Sequence, residues 1–161
     1  MITDPLIAKA EEVLEFLRSY DEKLVTVESC TGGLIVASLT EVPGSSDVVE
    51  GGLVTYSNLL KRQLTDVSLE TLEAHGAVSE QTARQMAEGA LTRTQSATVS
   101  VAVTGIAGPS GGSAYKPVGT VCFSIARRGL ETQSESCFFK GDRHTIRQAS
   151  ALRALDLILS R

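Results

Sequence analysis

The sequence predicts an α/β protein, a three-layer α/β/α sandwich around a mixed, mainly parallel sheet. Three observations predict it. Helical and strand periodicities alternate along the chain, so layers of helix must cover a sheet. The run at 97–104, ATVSVAVT, is apolar enough for a central strand buried on both faces. Two later strand-like runs, Thr120 to Ala126 and Gln133 to Phe139, flank Arg128-Gly129 and predict an antiparallel hairpin.

Each element has its own signal. Asp4-Pro5 opens a helix, Asp as a cap for free N–H groups and Pro at the first helical position. Leu6, Ala10, Val13, Leu14 and Leu17 then recur at helical spacing, with Glu11, Glu12 and Glu15 on the other side. Lys23 to Val27 is short and rich in β-branched residues, a strand. Gly32 to Thr40 reads as a helix of small residues, closed by the turn Pro43-Gly44-Ser45-Ser46. Gly51 to Ser57 (GGLVTYS) predicts a second strand, followed by a helix carrying Lys61 and Arg62. Leu69 to Ala74 is a short helix. Ser79 caps the next, Glu80 to about Thr92, with Glu80 near its positive end. The central strand runs into a glycine-rich loop, GIAGPSGGSAYKPVG, ahead of the hairpin. Asp142 opens the last helix, with Ile146, Ala149, Leu152, Leu155 and Leu159 on one face.

Composition narrows the function classes. The 161 residues fit one domain, 1–161, with a sizeable core, and 42% hydrophobic content argues against disorder. The net charge is −4 and no Lys/Arg run stands out, which argues against a general nucleic-acid binder but leaves room for a local phosphate pocket. Cys30, Cys122 and Cys137 are far apart with no C-x-x-C spacing, against a structural zinc site or a disulfide framework and in keeping with a reducing compartment. The N-terminal stretch is too charged for a signal peptide, and no apolar run approaches ~18 residues. A soluble cytoplasmic protein is expected, with no membrane partner.

Polar or glycine-rich clusters sit at four strand–loop junctions, where open α/β sheets place ligands: ESCTGG, GGLVTYSNLLK, VTGIAGPSGG with KPVGT, and FKGDRHTIR. The loop from Gly105 is neither a Walker A loop nor G-x-G-x-x-G. It reads equally as a flexible connection or as backbone N–H groups wrapping a phosphate or sugar.

Taken together, ESCTGGLI, LTEVPGSS, GGLVTYSNLLK, GAVSE, VTGIAGPSGG, KPVGTV and FKGDRHTIRQ resemble the CinA C-terminal domain family in its order. The enzymatic members of that family are nicotinamide-nucleotide amidases. Their fold is an α/β/α sandwich, and this chain is similar to the stand-alone form, without the molybdopterin-binding-like domain that often precedes it. The resemblance implies hydrolysis of the carboxamide of nicotinamide mononucleotide to nicotinate mononucleotide and ammonia, with no cofactor and no metal.

A neutral amide is a poor electrophile with a poor leaving group, so an activated nucleophile, a base and oxyanion donors are all useful. A Ser-His-Asp triad would need His75 or His144. His75 precedes Gly76 at a helix end, where a surface histidine is expected, and the neighbours of His144, Arg143 and Arg147, match the family better than it does. A serine–lysine arrangement fits more naturally, with Ser29 as nucleophile and Lys61 as general base, both on family motifs. Ser29 follows a strand at a glycine turn, where a hydroxyl can face a site. Lys61 must then be neutral part of the time, its pKa lowered by burial or by Arg62 and Arg143. Ser46 in PGSS is the rival nucleophile and Cys30, often a small buried hydrophobe, ranks after it. Tyr56 is expected to hydrogen-bond the serine or the leaving nitrogen. Glu28 either orients Lys61 or the ligand or favours the following helix. Thr104 and Gly105 approach carboxamide or ribose, while Gly108, Gly111 and Gly112 let backbone approach the nucleotide. Arg143 grips its phosphate in a fork. The competing reading is a silent nucleotide-binding or regulatory module, since a fold does not fix an activity. A small-molecule nucleotide is the expected partner, and a homo-oligomer is the expected state.

Overall fold

The computed structural model describes residues 1–160. The chain runs α1 (Asp4–Ser19), β1 (Leu24–Glu28), α2 (Leu34–Thr40), a single 3₁₀ turn (Ser45–Asp47) and β2 (Val49–Val54). It continues through α3 (Asn58–Thr65), α4 (Leu69–His75), α5 (Glu80–Arg93), β3 (Val99–Gly105), the hairpin β4 (Thr120–Arg127) and β5 (Gln133–Phe138), and α6 (Arg143–Leu159). The five strands form one sheet in the order β2-β1-β3-β4-β5. β1 pairs parallel with β2 and β3, whereas β3–β4 and β4–β5 are antiparallel. Four strands therefore point one way and β4 alone runs against them, the mixed sheet that the sequence predicts.

Alternation along β3 builds both cores at once. Val99, Val101 and Val103 face α1, α2 and α6, joining Leu6, Leu14, Leu17, Ile35, Phe123 and Leu155 in the larger cluster. Ala102 faces α5, with Val25 and Val27 of β1 and Met86, Ala87 and Ala90 in the smaller one. Each fully buried Leu, Val or Met contributes about 1.5–3 kcal/mol. Helices cover both faces, giving three layers.

Several boundaries differ from expectation for local reasons. Thr3, not Asp4, occupies the N-cap of α1; no side chain caps that helix, and Asp4 lies within its first turn. β2 ends at Val54, because Ser57 leaves the strand to cap α3, its hydroxyl accepting from Leu60 N at 3.1 Å. In α6 the buried residues are Ile146, Ser150, Ala151, Ala154, Leu155, Leu157 and Ile158, whereas Ala149, Leu152 and Leu159 are only partly buried. Among the described residues no helix is long and apolar enough to cross a membrane.

Candidate active site

The site lies at the carboxyl ends of β1 and β3, the central parallel pair of the sheet, where open α/β sheets place ligands. Alternation along β1 decides which side chain goes where. Glu28 ends the strand pointing to the α2 face, and the next residue, Ser29, turns to the face that α3 and α5 cover.

Glu28 is fully buried and its carboxylate is bound by the start of α2. Oε2 accepts from Gly33 N at 3.0 Å and Ile35 N at 3.1 Å, and Oε1 from Val36 N at 2.9 Å and Thr26 Oγ1 at 3.3 Å. The N-cap of α2 is a glycine, so this carboxylate supplies the acceptors that a capping side chain would. Of the two roles open to Glu28 in the sequence, the geometry is that of the helix anchor, turned away from Lys61.

Ser29 is held by its own backbone: its N–H donates to Val103 O at 3.0 Å and its carbonyl accepts from Gly32 N at 3.0 Å. From the other face Arg147 grips the same turn, Nε donating to Cys30 O at 3.1 Å and Nη2 to Thr31 O at 2.9 Å. The sequence reading gave Arg147 no role. The signal for one was its place a single helical turn after Arg143.

Lys61 comes to Ser29 from α3 and is 1% exposed. Its Nζ lies 3.0 Å from Ser29 Oγ, and also donates to Thr55 O at 2.9 Å and Tyr56 O at 3.3 Å. This arrangement suits both protonation states. Charged, the ammonium has three donors for three oxygens. Neutral, its two N–H groups remain on the carbonyls and its lone pair faces the Ser29 hydroxyl. Burial brings the lysine down to about 8. Desolvation alone does this, so the arginines expected to help are not needed, and Arg62 lies exposed on α3.

Ser29 and Lys61 open onto a cavity of about 270 Å³. Cys30, Thr104, Gly105 and Ala107 line it from the sheet side, Ala77 and Val78 from the link between α4 and α5, and Tyr56, Asn58 and Arg143 complete it. Thr104 Oγ1 donates to Ala77 O at 2.7 Å, tying that link to β3. A Cβ on Gly105 would lie 2.7 Å from a Val121 methyl and 3.1 Å from Cys30 Sγ, so glycine lets the strand end pack there. Cys30 is buried and its thiol is pushed up to about 12, chiefly by desolvation, which makes it lining rather than nucleophile.

Other expected residues stand elsewhere. The Tyr56 hydroxyl accepts from Arg143 Nη2 at 3.3 Å and bonds to neither Ser29 nor Lys61; its backbone carbonyl is what meets the lysine. Arg143 Nη1 donates to Gly108 O at 2.7 Å. Ser46 lies exposed in the 3₁₀ turn that precedes β2, at the opposite end of the parallel strands from Ser29. The length of β1 alone, about 17 Å at ~3.3 Å per residue, separates the two. Gly108 and Gly112 fold their loop onto Val118, whose atoms a Cβ would meet at 2.5 and 2.7 Å, and neither they nor Gly111 line the cavity. His75 and His144 are exposed and lie outside the cavity lining. Asn58, Ala77, Val78 and Ala107 were not anticipated; Asn58 directly follows the VTYS run. Among the described residues no three His, Cys, Asp or Glu side chains are grouped to hold a metal ion.

Comparison with known proteins agrees with this architecture. The CinA-like protein of Thermotoga neapolitana is 45% identical over 146 residues, which is 91% of this chain and 35% of that protein. The CinA-like protein of Akkermansia muciniphila is 49% identical over 139 residues, 86% of this chain and 33% of the relative. The chain thus spans about a third of the length of these curated relatives. Among solved structures, the competence/damage inducible protein CihA from Agrobacterium tumefaciens superposes with a TM-score of 0.94 at 43% identity, covering 99% of this chain and 97% of that one. The competence damage-inducible protein A (ComA) from Klebsiella pneumoniae gives 0.92 at 35%, covering 97% and 96%. Residues 7–161 match the family model described as the CinA C-terminal domain, and the chain belongs to that family.

Proposed function

We propose that this protein is an amidohydrolase that cleaves the carboxamide of nicotinamide mononucleotide by a serine–lysine mechanism. The observation that carries the reading is the buried pair itself: a lysine brought down to about 8 and placed 3.0 Å from a serine hydroxyl at the wall of a cavity.

The steps follow from the geometry. Neutral Lys61 takes the proton of Ser29 as Oγ attacks the amide carbon, giving a tetrahedral intermediate and an ammonium held by the Thr55 and Tyr56 carbonyls. That ammonium gives its proton to the departing nitrogen, and ammonia leaves. Water, deprotonated by the same lysine, then attacks the acyl-serine, and Lys61 returns the proton to Oγ.

Size and charge support a mononucleotide. At about 270 Å³ the cavity is slightly smaller than typical ligand pockets, which run ~300–1,000 Å³. It suits a ring and its carboxamide, with the phosphate left at the exposed Arg143 guanidinium. The test is ammonia release from nicotinamide mononucleotide by the purified chain with chelator present. Release that disappears in Lys61→Ala supports the amidase. Nucleotide binding without release would instead identify a silent binding module.

A further inference from the structure

Helix α5 carries a buried glycine in its interior, Gly89, where alanine would be favoured by about 1 kcal/mol. Packing explains the exception. A Cβ at Gly89 would lie 1.8 Å from Thr65 O, 2.5 Å from Thr65 C and 2.9 Å from Thr65 Cα. All three are backbone atoms, so no rotamer change could clear the overlap. Thr65 is the last residue of α3, one turn beyond Lys61, and its hydroxyl donates to the Lys61 carbonyl at 2.7 Å. α5 has little room to retreat: Met86, Ala87 and Ala90 are fully buried on the sheet side, and Ser100 of β3 donates to Ala87 O at 2.6 Å. With a side chain at 89, α3 is the element that must move, by about 1 Å or more to restore ordinary contact.

We propose that Gly89 is a positioning residue for the catalytic base: by admitting the Thr65 backbone against α5, it sets the depth at which α3 is seated and keeps Lys61 Nζ beside Ser29 Oγ and out of water. The proposal rests on Lys61 being that base. Gly89 does not line the cavity. A shift of about 1 Å takes the 3.0 Å Lys61–Ser29 contact beyond hydrogen-bond range and admits water to the amine. The ionisable groups around the cavity are Cys30, Tyr56 and Arg143; β3 brings Thr104 and Gly105, and the α4–α5 link brings Ala77 and Val78. At the seam between α3 and α5 the charged groups are Asp66, Glu88 and Arg93, all exposed.

The test is Gly89→Ala in the full chain, with Lys61 followed by NMR of ¹³Cε-labelled lysine alongside the pH profile of turnover. The Lys61 midpoint is expected to rise by about one unit, with turnover near neutral pH about tenfold lower as the neutral fraction falls. The acid limb of the rate profile moves with the lysine, a change that a merely structural glycine would not produce. If Gly89→Ala does not fold, Arg93→Ala loosens the same seam from its solvent side by removing the bonds to Asp66 at 3.0 and 2.6 Å, and the same change in smaller measure is expected. An unchanged Lys61 midpoint and limb in whichever variant folds would overturn the proposal. A midpoint that moves in a protein releasing no ammonia from nicotinamide mononucleotide leaves the positioning role standing and sinks the amidase reading. Equal ammonia release and equal midpoints in parent and variant do the reverse.

Discussion

Replacing Lys61 with methionine is expected to change how stability depends on pH. In the folded chain the lysine titrates at about 8, against 10.5 for a solvated lysine, and it is 1% exposed. A gap of about 2.5 units at ~1.36 kcal/mol each means that burying the charged form costs about 3 kcal/mol near neutral pH. The sign follows from proton counting. Between about 8 and 10.5 the unfolded chain binds more protons at this site than the folded one, so stability rises with pH there; below 8 the full cost is present. Lys61→Met has no such group, and every other titrating site is common to both proteins. The difference in unfolding free energy between parent and variant should therefore shift by about 2 kcal/mol in favour of the parent from pH 7 to pH 9.5. Urea melts of both proteins at the two pH values measure it. A difference that stays constant would mean that Lys61 titrates alike in the folded and unfolded chain, and the case for a neutral lysine base would fall with it.

Three further outcomes can be checked. Ser29→Ala should lower turnover at least ~10³-fold while leaving nucleotide affinity within about threefold, read by steady-state kinetics and calorimetry. Arg143→Lys keeps the charge but loses the fork, and should raise KM about tenfold with kcat little changed; an equal fall in kcat would place Arg143 in the chemistry instead. Glu28→Gln must set an amide NH₂ against backbone N–H groups of α2, and a loss of about 2 kcal/mol in urea unfolding is expected, where a neutral result would deny the anchoring role.

Most elements were legible because periodicity records burial. β3 reads as buried because Val99, Val101 and Val103 on one face and Ala102 on the other are all apolar, and α1 reads as amphipathic because five residues at helical spacing enter the core it shares with α2 and α6. The Ser29–Lys61 pairing is of another kind. It spans 32 positions and depends on α3 folding back over the end of β1, which no local pattern encodes; only the family resemblance pointed to it. Ser46 illustrates the opposite case. A motif residue by sequence, it stands at the far end of the strands because β2 begins where β1 begins. The glycine loop stayed open between two readings because a close approach of backbone to a ligand and a close approach to Val118 leave the same mark in sequence; the structure shows the second at Gly108 and Gly112.

Three elements fix the turn that carries Ser29 independently: β3 through the Ser29 N–H, α2 through the Glu28 carboxylate, and α6 through Arg147. For inheritance this is redundancy. A mutation in any one of these elements leaves Ser29 with little drift, because two anchors remain. Homologues should therefore diverge freely in the helices on that face while keeping the same Ser29 geometry. Adaptation to a different ligand is then left to the wall opposite, where Tyr56, Asn58 and Arg143 meet the solvent.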